Sequence, residues 1–200
     1  MAWLLARKSF VGKTLLDAIV HLPLVLPPVV VGYVLLLTFG RRGWLGAWMY
    51  EHLGVELAFT WKAAAIASAV MGFPLMVRAV RLSIENVDTR IEQAARTLGA
   101  SPWRVLFTIT LPLALPGVLA GVVLAFARGL GEFGATITFA GNIEGSTRTL
   151  PSAIYTYSQV PDGDESCVRL VIISIIISLI ALMASEILAR RIHRRIGLDA

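Results

Sequence analysis

Few residues in this chain have the types and spacing needed for nucleophilic, metal or phosphate chemistry. The 200 residues include one cysteine and three histidines: Cys167, His21, His52 and His193. The histidines lack metal-ligand spacing, and a single cysteine has no disulfide partner in the chain. Residues 10–14 end in Gly-Lys-Thr like a phosphate-binding loop, but Arg7 stands where that loop requires its first glycine. The sequence therefore predicts no catalytic residue, no metal site and no nucleotide site.

Arg128 and Glu132 are charged residues inside an otherwise apolar stretch. Charges within a membrane span are costly and are therefore candidates for function. Their spacing predicts that both lie on one face of a helix, where they can neutralise each other. Two interpretations stay open: a structural ion pair, which we favour slightly, and a positive site on the path of an anion.

Three prolines, Pro23, Pro27 and Pro28, lie inside another apolar stretch. Each removes a backbone donor and leaves carbonyl groups in need of partners. Such a break is tolerated in a membrane where protein or a water-filled cavity surrounds it. A bent, packed helix is the interpretation we favour, and a gate in a transport pathway is the alternative.

The elements that carry these residues are predicted to be transmembrane helices. Hydrophobic residues make up 56% of the chain, charged residues 16%, and the mean hydropathy is +0.75. Apolar runs long enough to cross a bilayer occupy about 15–39, 57–80, 107–139 with an interruption, and 168–188. They are apolar on nearly every side, unlike the alternating strands of a barrel. The predicted fold class is an all-α, polytopic transmembrane bundle.

The distribution of Lys and Arg predicts the orientation. With residues 85–112 placed in the cytoplasm, twelve of the 18 Lys and Arg residues fall inside and five outside. This imbalance satisfies the positive-inside rule and places the C-terminus in the cytoplasm of a multi-pass inner-membrane protein. The formal net charge of +5 is then a topology signal and does not indicate binding to nucleic acid.

Residues 85–112 are too polar for the membrane and read as two helices with a turn between them. Asp88 is a good N-cap, and Gly99 sits where a left-handed residue ends a helix. Ser101 is expected to cap the second helix, with Pro102 at its first position. We expect an inner face on each helix and a face exposed to water or a partner. The predicted inner residues are Ile91, Ala94, Ala95 and Leu98, then Trp103, Leu106, Phe107 and Thr110. The predicted outer residues are Arg90, Glu92, Gln93 and Arg96.

Three interpretations are compatible with the pattern of this loop. A DNA-binding helix-turn-helix shares the small residue and glycine spacing of Ala95 and Gly99, but its second helix would have to be free. Here that helix continues into the apolar run that follows. A solvated loop without a partner is the plainest alternative, yet it does not explain such definite helix caps. A protein partner on the cytoplasmic side explains both features.

The loop resembles the EAA loop of the membrane subunits of binding-protein-dependent ABC importers. The matching residues are Ala94, Ala95, Gly99, Ile109, Leu111 and Pro112. Gln93 stands where the motif usually has glutamate, with Glu92 one position earlier. The resemblance implies that this coupling loop, about 85–112, docks on a cytoplasmic ATPase subunit.

Further segments, 21–33, 73–82, 124–142 and 147–155, resemble the permease subunits of molybdate importers. This implies a type I ABC importer membrane domain that acts as a homodimer with an ATPase dimer and a periplasmic molybdate-binding protein. ATP-Mg would be used by the ATPase, with no cofactor in this chain. Tungstate and sulfate or thiosulfate are the alternative cargoes. A secondary anion transporter and a membrane-anchored helix-turn-helix regulator are the alternatives of a different class.

We expect one transmembrane domain, 1–189, followed by a basic cytoplasmic tail, 190–200. The opening Met-Ala-Trp-Leu-Leu-Ala-Arg-Lys resembles the last turns of a membrane helix, with Trp3 and Arg7 as interface anchors. Because relatives in this family usually have a complete helix before this point, we expect that the chain lacks a complete first helix.

Overall fold

The computed structural model describes residues 1–196, and residues 197–200, the end of the predicted tail, lie outside the described residues. All regular elements in the described part are helical, which confirms the predicted all-α class. In chain order they are α1 (Ala2–Arg7), α2 (Lys13–Val25), α3 (Pro28–Phe39), α4 (Trp44–Leu53), α5 (Trp61–Glu85), α6 (Thr89–Thr97), α7 (Pro102–Val105), the wide π-helical turn η1 (Leu106–Thr110), α8 (Leu111–Leu113), α9 (Leu115–Leu130), α10 (Gly134–Phe139), α11 (Leu150–Ser158) and α12 (Asp164–Ile196).

Within the described residues, two helical segments are long and apolar enough to cross a membrane unaided: Trp61–Glu85 and Asp164–Ala184. The other two predicted runs are bent pairs of helices. The chain bends by 113° between Lys13–Val25 and Pro28–Phe39, and by 69° between Pro102–Leu113 and Leu115–Leu130. Counting each pair as one broken span reproduces the four predicted runs.

Local chemistry explains the sharper bend. Pro23 is tolerated inside α2, whereas Pro27 is the N-cap residue of α3 and Pro28 its first helical residue. A proline at the first helical position costs no hydrogen bond, because that N–H has no partner within the helix. The prolines therefore end one helix and begin the next, and the apolar run over 15–39 is bent at this point.

The described chain forms two compact units. The first contains Met1–Ala18, Leu75–Ala125 and the segment from Ala181 onward. Its small apolar core is built from Ile84, Val87 and Ala114. Gly117 lies so close to Ser83 that an added Cβ would be 2.1 Å from the serine Cβ. Small residues thus allow α5 and α9 to cross closely within this unit.

The second unit contains Ile19–Pro74 and Phe126–Ile180. Its core includes Val31 and Leu35 of α3 together with Ala135 and Phe139 of α10. The contact between α3 and α10 leaves no room for a side chain at Gly32, because an added Cβ would lie 2.6 Å from the carbonyl oxygen of Ala135. Backbone therefore packs on backbone in the contact that organises this unit.

Replacing Gly32 by Ala should destabilise this unit by about 1–3 kcal/mol, the usual cost of overpacking a tight contact. A Cβ there would also lie 2.8 Å from the Cα of Ala135, and neither backbone atom can rotate away. The matched control is Gly131→Ala, because a Cβ at Gly131 meets nothing within 4 Å. Thermal unfolding of the purified chain in detergent measures both variants, and equal midpoints would contradict the prediction.

Candidate coupling surface and buried ion pairs

The helix α6 begins and ends where the sequence predicts. The Asp88 carboxylate accepts a hydrogen bond from the backbone N–H of Arg90 at 2.9 Å. At the other end Gly99 has a φ of +86°, and the N–H of Ala100 donates to the carbonyl of Ala95 at 3.0 Å. Both caps satisfy backbone groups that a nine-residue helix would otherwise leave unpaired.

The second helix also begins as predicted, but its predicted inner face is partly wrong. Ser101 accepts from the N–H of Arg104 at 3.3 Å, and Pro102 occupies the first turn. Thr110 is buried as expected, whereas Trp103 is 68% exposed and Phe107 is also exposed. The wide turn η1 contains one more residue per turn than an α-helix. Residues at α-helical spacing from Trp103 to Thr110 therefore do not share one face.

Glu92 points into the protein, and the prediction that it faces water or a partner was wrong. It is 5% exposed, and its Oε1 accepts from Thr110 Oγ1 at 2.8 Å and from Arg7 Nη2 at 3.2 Å. The same Arg7 nitrogen donates to the carbonyl of Val87 at 2.7 Å. A buried carboxylate needs such partners, and Arg7 supplies the opposite charge from 85 residues earlier.

Because neighbouring residues project about 100° apart around a helix, the carboxylate of Glu92 cannot replace one at Gln93. Gln93 is exposed, and the outward side of α6 is both apolar and basic. Ile91, Ala94 and Leu98, which were predicted to lie on the inner face, are exposed; Leu98 is 89% exposed. We call this outward side the coupling surface, which consists of Arg90, Ile91, Gln93, Ala94, Arg96 and Leu98.

Three other residues of the predicted motif lie beyond α6, with Ile109 in η1 and Leu111 and Pro112 in α8. Ala95, Ile109 and Leu111 are half-buried, and Pro112 is exposed. Exposed apolar side chains that share a surface with arginines are typical of protein contact sites. The structure thus brings the outward residues of the motif together on α6 and turns Glu92 away from them.

The predicted ion pair between Arg128 and Glu132 is present, with 2.7 Å between Nη1 and Oε2. The helix α9 ends at Leu130, so the expectation that both residues lie on one helix was wrong. Glu132 instead lies in the turn before α10, is 2% exposed, and accepts from the N–H of Ala135 at 2.8 Å. A carboxylate there is favoured by the unpaired N–H groups at the start of a helix. The Arg128 side chain remains 30% exposed.

One of the three predicted prolines lies beside the turn that carries Glu132. A Cβ added to Gly134 would be 2.7 Å from the Cβ of Pro28, so the first turns of α10 and α3 touch. Of the other two prolines, Pro23 is half-buried and Pro27 is exposed. The ion pair therefore supports the α3 and α10 contact that forms the core of the second unit.

Sequence reasoning missed two features of the described chain. The first is the partnership of Arg7 with Glu92, for which the only signal was a lone arginine read as an interface anchor. The second is an open cavity of about 560 Å³ in the second unit, whose lining includes Gly131, Phe133, Tyr155, Ser158, Ser174 and Ser178. In the part of the chain that the structure describes, no group of three His, Cys, Asp or Glu residues is arranged to hold a metal ion.

These features define a multi-pass helical membrane protein with a capped, water-exposed helical loop. Residues 1–197 match the family of binding-protein-dependent transport system inner membrane components, and the chain belongs to this family. The predicted resemblance to molybdate permeases is also confirmed. The chain is 62% identical to the molybdenum transport system permease protein ModB of Escherichia coli K12 over 196 residues, covering 98% of this chain and 86% of that protein.

Two further relatives set the range of similarity. ModB of Haemophilus influenzae is 58% identical over 197 residues, again covering 98% of this chain and 86% of the relative. The sulfate transport system permease protein CysT of Escherichia coli K12 is 38% identical over 197 residues and is covered to 70%. The chain is therefore more similar to these molybdenum permeases than to this sulfate permease.

Solved structures support the fold. An inward-facing form of the MetNI methionine ABC transporter has a TM-score of 0.69 at 16% identity, covering 96% of this chain and 82% of the other. A bacterial ABC transporter that imports alginate also reaches a TM-score of 0.69, at 15% identity and with 95% and 70% coverage. At such low identity these likenesses concern the fold alone.

Proposed function

We propose that this chain is the membrane permease subunit of an ATP-driven molybdate importer. Its coupling surface docks on a separate ATPase subunit, which uses ATP-Mg, and this chain itself holds no cofactor. The observation that carries the proposal is the exposed apolar and basic side of α6, whose residues occupy positions of the family motif. Exposed apolar side chains grouped with polar residues mark a site of protein contact.

The pathway is proposed to lie between two copies of the chain, as in closed homodimers that share one axis. The apolar part of α12, within Asp164–Ala184, has none of its window buried in a single copy, so it is free to meet a second copy or lipid. The domain division at 189 and the cytoplasmic C-terminus remain part of this proposal, and α12 continues to Ile196.

A periplasmic molybdate-binding protein is proposed to deliver the ion to the outer loops around 41–60 and 142–165. The first of these contains α4, which exposes Trp44 and Trp48. The second contains α11, which begins with a capping box between Thr149 and Ser152. Ordered loops of this kind offer a preformed surface to a docking partner. We propose molybdate and not sulfate as the cargo, because the chain is more similar in sequence to the ModB proteins than to the sulfate permease. Tungstate stays an alternative cargo, because it has the same charge and shape as molybdate.

Replacing Leu98 by Glu tests the docking step. Leu98 contributes little to the fold because it is so exposed, but an acidic group introduced into the apolar part of the contact should lower ATPase retention by about tenfold or more. The matched control is Val160→Glu, an equally polar change at a residue 52% exposed in the proposed outer loop. Co-purification in detergent with the ATPase subunit measures both variants.

The same preparation separates the proposal from a secondary transporter or a DNA-binding regulator. Retention of the ATPase by the unchanged chain supports the importer. Ion-gradient-driven anion uptake by the chain alone, in liposomes without ATPase, would support the secondary transporter. The regulator is disfavoured because the second helix of the loop continues through Leu113 into the bent span.

A further inference from the structure

We infer that Arg7, Glu92 and Thr110 form a positioning device that makes α6 move as one body with α1 and the turn η1. This inference rests on the proposed function, because it assigns a role to the inner side of the helix whose outer side docks on the ATPase. It concerns how motion of the ATPase reaches the membrane helices, and it assigns Glu92 to that step in place of direct contact with the ATPase.

The first argument is how little else holds α6. Among its nine described residues, Glu92 is the one that is buried. The apolar residues Ile91 and Leu98 are exposed, so they do not attach the helix to the rest of the chain. A helix shorter than about 12 residues is not stable by itself in water and depends on tertiary contacts. The contacts of the Glu92 carboxylate are therefore decisive for the position of α6.

The second argument is the geometry of those contacts. Arg7 lies at the end of α1, and one of its nitrogens reaches both Glu92 at 3.2 Å and the carbonyl of Val87 at 2.7 Å. It thus holds the first turn of α6 and the chain segment that leads into it. Thr110, at the end of η1, binds the same carboxylate oxygen at 2.8 Å. One carboxylate oxygen joins three elements.

The third argument is electrostatic. The side chains of Arg7 and Glu92 are 14% and 7% exposed, so water is a poor replacement for a lost partner. Removing one member of a buried pair strands the other charge, which makes the network favour a complete arrangement over a partial one. We therefore expect this network to pass a displacement of α6 on to α1 and η1. A helix attached only by exposed contacts would shift without moving those elements.

The test uses the full complex of permease, ATPase and binding protein in nanodiscs. Thr110→Val removes one hydrogen bond and keeps the side-chain shape, Arg7→Met removes the charge, and Arg7→Lys is the conservative variant. Lys8→Met is the matched control, because it makes the same charge change at an exposed residue one position later. The readouts are amide exchange in residues 89–97, ATPase retention, and the stimulation of ATP hydrolysis by the loaded binding protein.

For Arg7→Met we expect amide exchange in α6 to quicken about tenfold and stimulation to fall about fivefold or more, with ATPase retention within about twofold. Thr110→Val should show the same changes more weakly, Arg7→Lys should recover part of the stimulation, and Lys8→Met should match the unchanged chain. Unchanged exchange or unchanged stimulation in Arg7→Met would overturn the inference, as would losses of retention, hydrolysis and stimulation in equal proportion. If the unchanged chain retains no ATPase, the proposed function fails, and the amide-exchange measurement still tests whether Arg7, Glu92 and Thr110 hold α6 in place.

Discussion

Arg128→Ala is expected to destabilise the second unit by about 3 kcal/mol, because it leaves the Glu132 carboxylate buried without its opposite charge. We place the cost at the lower end for such pairs because the Arg128 side chain is 30% exposed and partly screened. The carboxylate cannot swing into water, since its other oxygen accepts from the N–H of Ala135 at the start of α10. The temperature at which the complex in detergent is no longer monodisperse measures the change.

The double variant Arg128→Ala with Glu132→Gln separates the two interpretations of this pair. It removes both charges, and the Gln amide oxygen can still accept from Ala135, so a structural pair predicts that much of the lost stability returns. Molybdate uptake should return with it. A complex that assembles fully and binds its ATPase, yet imports no molybdate, would instead assign the Arg128 charge to the anion pathway and reject the structural interpretation that we favour.

Gly99→Val is expected to reduce ATP-driven uptake more than it reduces membrane insertion. Gly99 has a φ of +86°, and this left-handed conformation costs a residue with a Cβ about 1–2 kcal/mol, with β-branched residues at the upper end. An added Cβ would meet nothing within 4 Å, so the effect comes from backbone strain alone. That cost lowers the population of the correctly ended α6 by about tenfold. Uptake and ATP hydrolysis in proteoliposomes measure the loss.

Gly99→Asn is the matched control, because asparagine tolerates the left-handed region and enters the same open space. It should retain most of the uptake that is lost in Gly99→Val. Normal hydrolysis and normal import by Gly99→Val complexes would show that the turn between the two helices of the loop does not couple the ATPase to transport.

Local sequence features were sufficient for the helical class and for the ends of the loop helices. Asp88, Gly99 and Ser101 were assigned as cap or end residues from their own chemistry, because a cap involves only backbone within three or four residues. The apolar runs were found for a similar reason, since the length needed to cross a bilayer is a property of a single segment. The family motif needed no more than spacing along one loop.

The tertiary structure alone decided which side of that loop faces inward. Ile91 and Leu98 look like an inner stripe on α6, yet Glu92 is buried because Arg7, 85 residues earlier, provides a charge and Thr110 a hydroxyl at the same place. The turn before α10 was misassigned in the same way, because α9 ends at Leu130 and Glu132 accepts a hydrogen bond from the first turn of the next helix. Periodicity records apolar surface along one segment, whereas the burial of a charge depends on partners brought together by the fold, which no local pattern contains.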